Sequence, residues 1–221
     1  MTAATGQPTE EDVVQDKYKN ILEEAFIRCF SIDAMIRAAP GLRPGLIREY
    51  FFLQLRMTCE LIALGCLVCH GDIPETKFKG LSKAWKPDDI FARLDSLHPD
   101  FFPIPVKFSS DPENKMLTLT DFDQPYLTKS ELISLWQRSG DRLHKGNVRN
   151  LIKSTDEQKL RTDDIVPVNQ KIINLLQNHR IGRKGGLTHF LAMANIQITL
   201  NEYHLNLTVA TAKAPQIISP T

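Results

Sequence analysis

No helical stretch of this chain is both long and free of charge. In its most apolar helical segment the uncharged run Leu61–Cys69 covers nine residues, less than half of the about 20 that a membrane-spanning helix needs. An excess of charge of either sign is missing as well. The 27 basic and 26 acidic residues leave a formal net charge of +1, so no whole-molecule field draws the protein to nucleic acid or to an anionic membrane. Any such binding must come from a local patch. Met1–Lys17 has no basic leader and no apolar run, carrying instead Glu10, Glu11, Asp12 and Asp16, and a secretory signal is not expected. Cysteine is sparse. Cys29, Cys59, Cys66 and Cys69 all fall within apolar helical patterns, where a reducing compartment keeps them as thiols. Internal repeats and low-complexity tracts are absent too. The expectation is a cytoplasmic protein without a membrane association.

What is there is an ordinary globular balance. Hydrophobic residues make up 42% and charged residues 24% of 221, which argues against disorder and gives enough chain to bury a substantial core. Thr9 followed by Asp12 reads as a capping box that opens a helix to about Cys29, with Val14, Tyr18, Ile21, Leu22, Ala25 and Phe26 at helical period. Ser31 or Asp33 is expected to cap a short second segment stopping at Pro40-Gly41. Pro44-Gly45 starts the longest candidate helix, to about His70, apolar over so much of its circumference that it belongs in the middle of a bundle. A short helix is predicted for Pro87–Leu97.

The pattern then changes period. Ile104–Phe108 and Met116–Phe122, separated by the turn-forming Ser109–Asn114, read as a β-hairpin. Thr128 with Glu131 is a second capping box and begins a helix through Leu132, Leu135 and Trp136 toward His144. Another helix runs from Asp163 or Asp164 to His179, with Pro167 in its first turn. A basic turn, His179–Gly186, leads into two strands near Thr188–Ala194 and Leu205–Thr211. The predicted class is α+β, mainly a helical bundle carrying a small antiparallel sheet from two hairpin-like segments. Residues 9–214 form one domain between a disordered tail at 1–8 and a frayed one at 215–221.

Four groups of residues carry chemistry. Cys66-Leu-Val-Cys69-His70 has the C-x-x-C-H spacing that attaches c-type haem, but it sits at the end of a buried helix, where Cys is a common small hydrophobe. Structural zinc would need a second Cys/His pair, which the sequence lacks. Neither a metal nor a cofactor is therefore expected. Arg56 and Glu60, four apart, are placed to satisfy one another in the bundle. Arg180, Arg183 and Lys184 lie among the glycines of the basic turn, a pattern able to grip phosphate through side chains and backbone amides.

The fourth group is the most concentrated. Trp136–Gly146 gathers Arg138, Asp141, Arg142 and His144 within seven residues at a helix end, groups able to move a proton and to hold an anionic transition state. On one helix Arg138 and His144 differ by about 120° in azimuth and about 9 Å along the axis, with Asp141 three residues from each. Gly140 weakens the helix there, so a bend bringing the imidazole toward the guanidinium is expected.

The spacing Arg138-x5-His144 resembles the active motif of the HEPN superfamily, small helical proteins common in toxin–antitoxin and phage-defence systems. The resemblance implies a metal-independent RNA endonuclease. In it His144 is the base on a ribose 2′-hydroxyl, Arg138 stabilises the phosphorane-like transition state, and Asp141 or Arg142 orients or supplements them. RNA would then be the partner, with Arg180, Arg183 and Lys184 helping to hold it, and a homodimer is implied because such sites pair across a dimer. The competing reading is a non-catalytic helical scaffold that binds a protein partner. A third is a metal- or haem-binding protein using Cys66, Cys69 and His70.

Overall fold

The computed structural model describes residues 8–38, 41–71, 83–111, 116–143, 161–183, 188–199 and 202–213. These form helices α1 (Glu10–Ala38), α2 (Pro44–Cys69) and α3 (Pro87–Leu97), strands β1 (Ile104–Asp111) and β2 (Met116–Asp121), and helices α4 (Lys129–Leu143) and α5 (Val166–Gln177). Strands β3 (Asn178–Arg183), β4 (Thr188–Ile198) and β5 (Tyr203–Lys213) complete the order. The architecture is α+β and mainly helical, as the periodicity predicts.

Both capping boxes form. The Thr9 amide donates to the Asp12 carboxylate at 2.9 Å, and the Asp12 amide donates to Thr9 Oγ1 at 3.1 Å. Thr128 and Glu131 repeat the exchange at 2.9 and 3.3 Å. Each satisfies two amides that the first helical turn leaves without partners.

Helix α1 does not break at Ser31 or Asp33, as expected from their capping chemistry, but continues to Ala38. The Ser31 hydroxyl donates back to the Arg28 carbonyl at 2.7 Å, and Asp33 accepts from Asn169 of α5 at 3.0 Å. With those polar groups satisfied, neither competes with the helix. Helix α2 has the length and apolarity of a membrane span, with a mean hydropathy of 1.6 over its most apolar window, yet most of that window is buried inside the protein. Its outer side keeps some of that apolar surface in solvent, for Leu46 and Leu53 are exposed.

The two hairpins join in one antiparallel sheet of order β2-β1-β3-β4-β5. The expected basic turn is in its first five residues a strand: β3 follows α5 without a connecting loop and pairs along its length with β4. Strand β5 pairs with β4 at every residue from Tyr203↔Ile198 to Lys213↔Thr188. The join between β1 and β3 is narrow, Ile104↔Arg180 and Pro105↔His179. One continuous core of buried side chains draws on all five helices and on β3, β4 and β5.

Candidate functional site

Helix phase decides what α4 offers to solvent. Leu132, Leu135, Trp136, Ser139 and Gly140 are buried, which fixes the inward stripe. Arg138, Asp141 and Arg142 therefore stand on the outward side, and all three are exposed. His144, the other half of the Arg-x5-His pattern, lies outside the described residues, and so does Lys184. The structure thus brings Arg138, Asp141 and Arg142 together on one helix surface.

Gly140 has a different role from the expected bend. Helix α4 is continuous to Leu143, and a Cβ at residue 140 would lie 2.2 Å from Arg56 Nη1. The absent side chain makes room for a guanidinium from α2. Arg56 is seated over the Trp136 ring with its Cζ 4.5 Å from the centroid, and its Nη1 donates to the Trp136 carbonyl at 3.3 Å. Its Nε lies 3.3 Å from Glu60 Oε1, and the same oxygen accepts the Trp136 indole N–H at 2.8 Å. The anticipated Arg56–Glu60 pair forms, therefore, as part of a triad that includes Trp136. A buried indole needs an acceptor for its N–H, and that requirement was the sequence signal for the third member.

Beside this joint, Arg138 lines an open groove of about 410 Å³ between α4 and α5. Leu127, Leu135, Pro167 and Val168 supply an apolar floor, and Ser130, Ser134, Glu131 and Lys171 polar sides. Lys171 Nζ lies 2.7 Å from Glu131 Oε1, and its hydrogen bond holds that carboxyl below the usual range. Among the described residues Arg138 makes no hydrogen bond or ion pair. A neighbouring pair, Arg48 and Asp164, closes through two bonds of 3.0 Å. The Arg48 hydrogen bonds chiefly, and the nearby Arg138 charge to a lesser degree, keep the Asp164 carboxyl low.

The basic residues of the expected turn separate. Arg183 is buried, donating from Nε to the Cys69 carbonyl at 2.8 Å, with its Cζ 4.1 Å from the Phe190 ring centroid. Its cation is committed to the end of α2 and to β4, which corrects the expectation that Arg183 grips phosphate from a turn. Arg180 is half-buried and, three positions earlier on a strand, faces the other side of the sheet. Neither lines the groove that holds Arg138.

The C-x-x-C-H residues are structural in placement. Cys66, Cys69 and His70 are fully buried. The His70 ring nitrogens lie 2.7 Å from the Cys66 carbonyl and 3.1 Å from the Gly182 carbonyl, so they hold α2 to β3 and face acceptors. Burial pushes the Cys66 thiol up and the His70 imidazole down. A second buried histidine, His179, went unanticipated as a packing group. Its Nδ1–H donates to the Leu176 carbonyl at 3.0 Å and its Nε2 accepts the Tyr18 hydroxyl at 2.6 Å.

No family model matches the chain, and neither does any curated protein or solved structure. The functional reading rests on the chemistry of the site.

Proposed function

We propose that the chain is a metal-independent RNA endonuclease of the HEPN type, with Arg138 as its phosphate-binding cation and His144 as its base. The observation that carries the reading is the state of Arg138: an exposed guanidinium at the edge of an open groove, without a partner among the described residues. An arginine that stabilised the fold would be paired as Arg48 and Arg56 are. A guanidinium presented without a partner suits a phosphate, which it can hold through two parallel hydrogen bonds.

In the reaction, the neutral His144 imidazole takes the proton of a ribose 2′-hydroxyl and the oxygen attacks the adjacent phosphorus. Arg138 offsets the charge that develops on the phosphoryl oxygens, and Arg142, on the same helix side, adds to the field. The 5′-oxygen leaves with a proton from the imidazolium, giving a 2′,3′-cyclic phosphate and a 5′-hydroxyl end. Asp141 lies between the two residues in sequence and serves to orient them. The groove beside Arg138 offers apolar surface for a base.

The test is cleavage of a synthetic single-stranded RNA in the presence of a chelator. Arg138→Ala is expected to slow it by about 10²–10³-fold, and His144→Ala by about 10²–10⁴-fold, each with a nearly unchanged thermal midpoint. A substrate with 2′-deoxyribose at the scissile nucleotide should resist cleavage. Undiminished cleavage by both variants, or none by the parent protein, overturns the reading. Loss of folding in His144→Ala would favour the non-catalytic scaffold.

A further inference from the structure

The outer edge of β5 has the marks of a pairing surface. It is an eleven-residue strand, Tyr-His-Leu-Asn-Leu-Thr-Val-Ala-Thr-Ala-Lys, in register with β4 at every position. It has no proline, no glycine and no bulge, and its one formal charge, Lys213, sits at the end. Proteins ordinarily blunt an exposed edge with just those devices. Among the described residues no further strand lies outside β5.

A groove of about 540 Å³ opens where the first residues of β5 meet α1. It is lined by Tyr203, His204, Leu205 and Asn206, by Asn195 and Gln197 of β4, and by Glu23, Ile27 and Phe30 of α1. Ile27, on its helical wall, is 57% exposed.

We infer that this edge pairs, antiparallel, with the β5 edge of a second copy of the chain about a twofold axis at Thr208, making one continuous ten-stranded sheet. Pairing at that register sets Leu207 opposite Val209, Leu205 opposite Thr211, and Lys213 opposite Tyr203, which also holds Arg37 of its own copy; within the two paired strands no like charges face one another. Charge selects this occupant. Glu23 lines the groove with Tyr203 and Leu205, and neither Glu23 nor Lys213 has an ion-pair partner among the described residues. Lys213 shares strand parity with Tyr203, Leu205 and the buried Leu207, so it leans to the face covered by α1. The twofold therefore brings Lys213 of each copy beside Tyr203 and Glu23 of the other, and closes two ion pairs that one copy leaves open. The contact is isologous, so it ends at a dimer instead of propagating. It joins sheets rather than α4 helices, and stands apart from the catalytic proposal.

Light scattering on the full chain across a concentration series tests it. A dimer is expected, and Thr208→Lys, an exposed position that meets its own copy on the axis, should raise the dissociation constant by roughly tenfold. Glu23→Lys and Lys213→Glu should each weaken the dimer, and the two combined should restore it. Thr208→Cys should form a disulfide-linked dimer under mild oxidation. A monomer at every concentration overturns the inference. So does a dimer that Thr208→Lys leaves unchanged and Thr208→Cys does not cross-link, because its interface would lie elsewhere.

Discussion

The most informative single side chain for stability is His179. Fully buried, it is held neutral: burial lowers its imidazole from 6.5 to about 4, with the Leu176 carbonyl pulling weakly the other way. The unfolded chain takes up a proton near 6.5 while the folded one does not until about 4. The contribution of this group is therefore complete above 6.5 and is lost as pH falls through that window, by roughly 3 kcal/mol in all. His70 and His189 are lowered by burial as well and act in the same direction. Denaturant midpoints measured between pH 7 and pH 4 should fall steadily. His179→Gln keeps an acceptor for the Tyr18 hydroxyl but cannot titrate, so it should flatten part of the fall. A level profile in the parent protein would refute the account. The same tyrosine explains Gly65, where a Cβ would lie 2.9 Å from the Tyr18 ring.

At the scale of elements, the joint between α2 and α4 turns on Glu60. One carboxylate oxygen serves both the Arg56 guanidinium and the Trp136 indole. Glu60→Ala would leave a cation and an N–H without their acceptor. Both ion-pair partners keep some exposure, 22% and 16%, so the cost should be about 2 kcal/mol, below that of a fully buried pair. For a chain of this size that is a drop in the thermal midpoint of roughly 4–8 °C, measurable by calorimetry. Several elements could be read without coordinates because their cause is local. The Thr9–Asp12 and Thr128–Glu131 boxes mark their own helices, and Pro87 opens α3 at its first turn. The outward phase of Arg138, Asp141 and Arg142 follows from Leu132, Leu135 and Trp136 by periodicity alone. Strand β3 could not be read, because its letters are those of a turn. His179, Gly182 and Arg183 become strand residues only through Tyr18, through the Asp100 carbonyl that accepts the Gly182 amide at 3.1 Å, and through Cys69 and Phe190. Those partners come from distant sequence, and tertiary contacts override local preference in strands. The continuity of α1 through Ser31 and Asp33 escaped for the same reason, since Asn169 lies 136 residues away.

In the molecule as a whole, the sheet is assembled from two pieces separated in sequence. Strands β3, β4 and β5 share long, unbroken registers, and β1 and β2 share another, whereas β1 and β3 meet at only two pairs beside the rigid ring of Pro105. Proline donates no amide to a ladder, so this seam has even fewer hydrogen bonds than its length allows. Opening it exposes little of the central core, which among the described residues draws on no side chain of β1 or β2, the buried Val106 lying outside it. Amide exchange should therefore release protons from Val106–Ser109 and Thr118–Asp121 well before those of Ile181 or Leu191–Ala194. Equal protection on both sides would contradict this. The appended hairpin behaves, on these grounds, as a flap stitched to the body by two stitches, able to lift while the helices and the remaining three strands stay closed.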